Sequence, residues 1–225
     1  MRLHVQRSGS GAPALVFIHG LGGSTATWDG VVAELSPVYT TVAVDLLGHG
    51  QSPVPEDTAL YTRDAALTDL DDVLATLDGP AVLVGHSLGG YLALAHAATR
   101  PGATAGIIVL NTGPGFRDPE KREGWNERSR RNAHRFGVPL QATNLNLQED
   151  SVVMERLAEM ATPTLVLAGS ADREEYTVSG QYLERKMPHA RLQVIADGEH
   201  NMQESHALDV AEAIRAFVGA LPLSR

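Results

Sequence analysis

Six residues, Gly85-His86-Ser87-Leu88-Gly89-Gly90, constrain the fold of this chain more than any other stretch. An apolar run, 81–84, precedes them, and an Ala/Leu-rich segment with helical spacing, 91–99, follows them. A Gly-x-Ser-x-Gly motif between a strand and a helix forms a strained turn that presents the serine hydroxyl clear of the sheet. The glycines lack a Cβ, so the strand and the helix can pack closely around Ser87. This context predicts a nucleophilic serine at a strand-to-helix turn.

Short apolar segments alternate with amphipathic helical segments along the rest of the chain. The predicted strands are the segments 3–7, 14–18, 41–44, 81–84, 106–110, 163–169 and 191–195. Such an alternation is typical of an α/β protein with a mainly parallel central sheet and helices on both faces. In sheets of this kind the functional site lies beyond the carboxyl ends of the strands.

The length of the chain, 225 residues, fits one α/β domain over 1–225. A segment of different texture, about 112–162, leaves the carboxyl end of one predicted strand and cannot extend the sheet. We expect this insertion to fold over the site as a short helical cap. Trp125 and Phe136 are its candidate substrate-pocket residues, and the alternative is that they only anchor the cap.

Charge and composition narrow the choice of partners and compartment. The net charge of −9 argues against nucleic acid or an anionic membrane as a partner, since both require a basic face. The absence of cysteine excludes disulfides, thiolate nucleophiles and cysteine metal sites. No stretch approaches the length of a signal peptide or a membrane span. We therefore expect a cytoplasmic protein, and its Arg- and Ala-rich usage points to a bacterial source. The oligomeric state stays open.

A serine hydroxyl is a poor nucleophile at neutral pH, so it needs a base to take its proton and a third group to orient that base. Asp172 follows the predicted strand 163–169, and His200 follows the strand 191–195. The order Ser87, Asp172, His200 is the order of nucleophile, acid and base in α/β-hydrolases. The residues that compete for the roles of acid and base are Glu174, Glu175, Asp118, His189 and His206.

Five pieces of the sequence carry a resemblance to Ser-dependent α/β-hydrolase-fold enzymes of the esterase or thioesterase type. They are the segments 19–23, 45–52, 85–90, 169–172 and 198–201. The resemblance covers 14–217, and its last piece is similar to the valacyclovir-hydrolase-like esterases. It implies that the backbone N–H groups of Leu21 and Leu88 form an oxyanion hole. It also implies that the cap is short, since related hydrolases often carry a longer one.

These features together predict a serine hydrolase that cleaves a carboxylic ester, a thioester or a lactone. Ser87 would attack the carbonyl of a small-molecule acyl substrate, His200 would act as base, and Asp172 would orient the base. We expect no metal ion and no cofactor. The alternative is a lyase or a ligand sensor of the same fold that uses the same pocket without hydrolysis, because fold and triad do not fix the reaction.

Two other classes fit the sequence less well. A dinucleotide-binding domain would explain Gly20-Leu21-Gly22 and Asp45, but Thr25 stands where the third glycine of the fingerprint belongs, and the serine motif would have no role. A metallohydrolase is disfavoured because the chain has neither His-Glu-x-x-His nor a comparable cluster of ligands.

Overall fold

The computed structural model describes residues 2–222 and contains one mixed sheet there. The strands are β1 Val5–Ser8, β2 Ala14–Ile18, β3 Thr40–Val44, β4 Ala81–His86, β5 Gly106–Leu110, β6 Thr164–Gly169 and β7 Ala190–Ile195. Their order across the sheet is β1-β3-β2-β4-β5-β6-β7. The edge strand β1 runs antiparallel to β3, and the other pairs are parallel. The predicted α/β fold with a mainly parallel sheet is confirmed.

Helices cover both faces of the sheet. They are α1 Asp29–Leu35, α2 Arg63–Leu74, α3 Leu88–Thr99, α4 Pro119–Asn132, α5 Val152–Arg156, α6 Glu174–Lys186, α7 Met202–Ser205 and α8 Ala207–Gly219. Side chains of α1 and α8 share one core cluster, and those of α2, α3 and α6 share the other. No helix within residues 2–222 combines the length and the apolar character that crossing a membrane requires.

Strand β2 shows why the central strands are apolar throughout. Its five residues are all buried. Leu15 and Phe17 pack in the cluster with α1 and α8, whereas Val16 and Ile18 pack in the cluster on the opposite face. Successive side chains of a strand point to opposite faces, so a strand covered by helices on both sides needs an apolar residue at every position.

The residues between β5 and β6 hold α4, α5 and three short 3-10 helices, Ala133–Phe136, Leu140–Asn146 and Leu157–Glu159. We call residues 112–162 the cap. Arg63, the first residue of α2, ties the cap to the body through two hydrogen bonds, 2.7 and 3.0 Å long, to the carboxylate of Asp150. Burial alone would lower the pKa of Arg63, but its bonds to Asp150 and to the Tyr91 hydroxyl raise it above the usual value. The guanidinium is therefore charged and fixes one edge of the cap.

Candidate active site

Ser87 lies between β4 and α3 in a strained conformation, with φ +49° and ψ −111°. Its carbonyl accepts a hydrogen bond of 2.8 Å from the Thr112 hydroxyl, and its N–H donates to the carbonyl of Leu110 at 2.9 Å. A Cβ added to Gly89 would lie 2.2 Å from the carbonyl oxygen of Ile18. The surrounding contacts hold the turn, and they leave the Ser87 residue partly exposed.

Three predicted residues from distant parts of the chain meet at the carboxyl edge of the sheet. The Nε2 atom of His200 lies 3.2 Å from Oγ of Ser87, and its Nδ1 atom lies 2.7 Å from Oδ2 of Asp172. The other carboxylate oxygen of Asp172 accepts the N–H of Arg173 at 2.7 Å. The Asp172 side chain is 5% exposed and that of His200 is 39% exposed, so the acid is shielded while the base is open to solvent.

The competing residues lie elsewhere. Asp118 caps α4 by accepting the N–H of the two residues that follow Pro119. Glu174 and Glu175 are exposed in the first turn of α6. Likewise, His189 is exposed next to β7, and His206 is hydrogen-bonded to its neighbouring serine. Among these candidates, the structure places His200 against the serine and Asp172 against His200.

The loop from Gly20 to Gly23 lies beside the serine. It is closed by a hydrogen bond of 3.0 Å from the N–H of Gly23 to the carbonyl of Gly20. A Cβ added to Gly20 would lie 3.3 Å from Cβ of Ser87. Leu88 is the first residue of α3, so its N–H has no partner within the helix and lies at the positive end of the helix dipole. The oxyanion role of Leu21 and Leu88 stays a prediction.

His19 holds the loop 20–23 in place through two hydrogen bonds. Its Nδ1–H donates to the carbonyl of Gly20 at 2.7 Å, and its Nε2 accepts the N–H of Leu46 at 3.0 Å. Burial, with the neighbouring His49 adding to it, lowers the pKa of His19 to about 4. The ring is therefore neutral at pH 7, in the one tautomer that satisfies both partners.

Three further side chains contact the base. Nε2–H of His86 and the amide Nδ2 of Asn111 donate to the carbonyl of His200 at 2.8 and 2.9 Å. The ring of Tyr176 packs against the ring of His200 with 4.8 Å between their centroids. Burial raises the pKa of Tyr176, and the charge of Asp172 raises it further. The sequence pattern did not single out Asn111 or Tyr176; the only available signal was an asparagine directly after a strand.

The two predicted pocket residues differ in their placement. The carbonyl of Phe136 would lie 2.7 Å from a Cβ on Gly22, so Phe136 borders the loop beside the serine, and its residue is 36% exposed. Trp125 is held inside the cap, where its indole N–H donates to Asn146 at 2.9 Å and its ring lies 5.9 Å from that of Phe116. A substrate contact stays a prediction for both.

The carboxylate of Asp45, the remaining acidic candidate, is hydrogen-bonded within the protein. Its carboxylate accepts the backbone N–H of Thr25 at 2.6 Å and of Gln51 at 2.8 Å, and Nδ1 of His4 lies 2.8 Å away. It is 1% exposed and is not free to hold a ribose. Within residues 2–222, no three His, Asp or Glu side chains are grouped as a metal site.

The sequence pattern of the Alpha/beta hydrolase family matches residues 15–213, most of the chain. This chain belongs to the alpha/beta hydrolase family. The chain is 30% identical over 260 aligned residues to a pimeloyl-[acyl-carrier protein] methyl ester esterase of Xanthomonas campestris, and the alignment covers 98% of this chain and 100% of that protein. Over 113 residues it is 37% identical to 2-(acetamidomethylene)succinate hydrolase of Mesorhizobium japonicum, covering 50% of this chain and 40% of that one. Both relatives carry the names of hydrolytic enzymes.

Two other similarities are more limited: one covers a smaller share of the relative, and the other has a lower sequence identity. The chain is 43% identical over 107 residues to an uncharacterized protein of Mycobacterium tuberculosis, covering 47% of this chain and 30% of that protein. The match thus spans less than a third of the mycobacterial relative. Among solved structures, MenH from S. aureus superposes with a TM-score of 0.85 at 19% identity, over 96% of this chain and 98% of the other. At this identity the likeness concerns the fold alone.

Proposed function

We propose that this hydrolase is a serine carboxylic-ester hydrolase that cleaves an ester, a thioester or a lactone through an acyl-enzyme. The observation that carries the proposal is the continuous hydrogen-bonded chain from Oγ of Ser87 through His200 to the shielded carboxylate of Asp172. Nucleophile, base and orienting acid in this geometry are the parts that acyl transfer from a serine requires.

In the first half-reaction His200 Nε2 accepts the proton of the Ser87 hydroxyl while Oγ bonds to the substrate carbonyl carbon. The carbonyl π electrons move to oxygen, and the N–H groups of Leu21 and Leu88 donate to the resulting oxyanion. When the tetrahedral intermediate collapses, the bond to the leaving group breaks and the protonated His200 delivers its proton to that group. Asp172 stabilises the imidazolium without taking its proton.

The second half-reaction repeats these steps with water. His200 removes a proton from water as the water oxygen attacks the acyl carbon, and the proton then returns to Oγ of Ser87 as the acid product leaves. Removal of one oxyanion donor typically raises the activation barrier by about 3 kcal/mol. We expect the loop 20–23, which carries the N–H of Leu21, to lower the barrier by a similar amount. The tie between His19 and Gly20 supports this role, because it holds the loop beside the serine.

The substrate class is supported by the chemistry of the site and by the relatives. The esterase of Xanthomonas campestris, which aligns over its full length, acts by its name on a methyl ester, so a methyl ester belongs among the first substrates to test. Phe136 borders the loop 20–23, and we propose that its side chain contacts the acyl chain. We propose a small or medium acyl group.

The test is hydrolysis of p-nitrophenyl esters of increasing acyl length, together with dimethyl pimelate, by the wild type, Ser87→Ala and Ser205→Ala. Ser205 is an exposed serine of α7 and serves as the matched control. We expect release by the wild type and Ser205→Ala, a rate maximum at one chain length, and no release by Ser87→Ala. Equal rates in the wild type and Ser87→Ala would refute the serine mechanism. A folded wild type that cleaves no ester would favour the lyase or sensor.

A further inference from the structure

The side chain of Asn111 joins the two loops that carry the acid and the base. Asn111 follows β5 directly and is fully buried. Its Oδ1 accepts the N–H of Gly169, the last residue of β6, at 2.9 Å. Its Nδ2 donates to the carbonyls of Glu199 and His200, each at 2.9 Å. One amide group thus connects the end of β6, three residues before Asp172, with the loop that ends in His200.

The backbone of Asn111 is strained. Its φ of +44° lies in the left-handed region, which asparagine tolerates better than most residues but which still costs free energy. Its N–H donates to the carbonyl of Leu167 at 3.0 Å, so the residue is bound to β6 through its backbone as well as its side chain. Strained residues persist where the surrounding contacts hold them, and they concentrate at functional sites.

A second buried donor acts on the same carbonyl. Nε2–H of His86, the last residue of β4, donates to the carbonyl of His200 at 2.8 Å. Burial, with His200 beside it, lowers the pKa of His86 to about 3, so the ring is neutral and has one N–H to donate. The last residue of β4 and the residue directly after β5 therefore hold the backbone of His200, although His200 itself lies on a loop.

We propose that Asn111 is a positioning residue, which holds the backbone of His200 where its ring can reach Ser87 and Asp172 at once. The inference rests on the proposed function for its consequence in catalysis. The contact between His200 Nε2 and Ser87 Oγ, 3.2 Å, is the longer of the two hydrogen bonds of the triad, so we expect a shift of the loop to weaken it first. A misplacement of about 1 Å in a catalytic group can cost about 100-fold in rate.

Two variants separate the parts of this role. Asn111→Asp retains an oxygen to accept the N–H of Gly169, but it removes the amide donor and turns a carboxylate toward two carbonyl oxygens. Asn111→Gly removes the side chain and adopts a positive φ without strain. We expect kcat to fall by about 100-fold in each with KM changed less than about twofold, because the ground-state pocket is untouched.

Thr164→Val is the matched control. Thr164 lies at the opposite end of β6, is fully buried, and donates its hydroxyl to the carbonyl of Thr162 at 2.9 Å. The substitution removes a buried hydrogen bond far from the triad. We expect it to lower Tm and leave kcat of the folded protein unchanged, so loss of stability and loss of positioning give different results.

A second measurement needs no substrate. The proton on Nδ1 of His200, shared with Asp172, gives a downfield NMR resonance that His200→Gln would remove and so identify. We expect Asn111→Asp and Asn111→Gly to shift or broaden it well below Tm, and Thr164→Val to leave it in place. If the wild type cleaves no ester but this resonance responds, the hydrolase proposal fails and the positioning of His200 stands.

Three results would overturn the inference. The first is wild-type kcat together with a wild-type resonance in folded Asn111→Asp. The second is a fall in activity that follows only the folded fraction, as in Thr164→Val. The third is failure of both Asn111 variants to fold, which would assign Asn111 to folding alone. Ser87→Ala remains inactive in each of these cases, so the proposed function is judged separately.

Discussion

The carboxylate of Asp172 lies 2.7 Å from Nδ1 of His200, although 28 residues separate them in the chain. The carboxylate is shielded at 5% exposure, whereas the His200 side chain is 39% exposed. The pair fixes the tautomer of the neutral ring, because the carboxylate can only accept and Nδ1 must therefore carry the proton. Nε2 is then an acceptor that faces the Ser87 hydroxyl.

The first prediction concerns this pair. Asp172→Asn places an amide against Nδ1 and favours the wrong tautomer, so we expect kcat for ester hydrolysis to fall by about 10³- to 10⁴-fold at neutral pH. Asp118→Asn is the matched control, since asparagine caps a helix as well as aspartate and Asp118 caps α4. Steady-state kinetics of both variants checks it. A loss in Asp118→Asn equal to that in Asp172→Asn would contradict the assignment of the acid.

The second prediction concerns pH and stability. Burial lowers the pKa of His19 from 6.5 to about 4, so between these values the unfolded chain binds more protons than the folded chain. The free energy of unfolding contributed by His19 is therefore full above pH 6.5 and is lost as pH falls toward 4. One such histidine contributes a slope of about 1.4 kcal/mol per pH unit at its steepest.

Urea unfolding at several pH values between 4 and 7 measures this slope. The buried His86, with its pKa lowered to about 3, adds to the slope of the wild type. We expect His19→Gln to reduce the slope and His189→Gln, at an exposed position, to leave it unchanged. An identical slope in His19→Gln and the wild type would show that His19 is not held neutral by the fold.

The third prediction tests the packing of the serine turn. An added Cβ at Gly89 would lie 2.2 Å from the carbonyl oxygen of Ile18 and 2.8 Å from that of His19. Backbone atoms cannot move aside cheaply, so we expect Gly89→Ala to destabilise the protein by about 3 kcal/mol and to reduce activity. At Gly219, nothing lies within 4 Å of an added Cβ, and Gly219→Ala is expected to be neutral or slightly stabilising. Thermal unfolding of the two variants decides the point; equal Tm values would refute it.

The fourth prediction concerns the attachment of the cap. Arg63 is 6% exposed and its partner Asp150 is 47% exposed, so the pair is partly shielded from water. Arg63→Met leaves Asp150 without its cation, and we expect a loss of about 1 to 2 kcal/mol after allowance for solvent screening. Faster hydrogen exchange within 140–156 should accompany it. Arg130→Met, which breaks an exposed pair with Glu123, is expected to change neither; uniform exchange changes in both variants would contradict the anchor.

The positions of the central strands could be predicted from the sequence, because the pattern that marks a buried strand is local. A strand covered on both faces needs apolar side chains at every position, and β2 and β5 match the predicted segments 14–18 and 106–110 residue for residue. Their ends were marked by glycine, asparagine and histidine. Placing Ser87, Asp172 and His200 after three parallel strands was then enough to predict that they would meet.

The contacts of Asn111 could not be predicted from the sequence, because they join residues 58 and 89 positions apart and leave no periodic pattern. The same holds for Tyr176, which a helix turns onto the ring of His200, and for Trp125, whose indole is used inside the cap. The apolar patterns and turn motifs of the sequence were therefore enough to predict the fold and the candidate reacting groups. The tertiary structure alone decided what holds those groups in place, since hydrogen bonds between distant loops exist only after the sheet has brought the strand ends together.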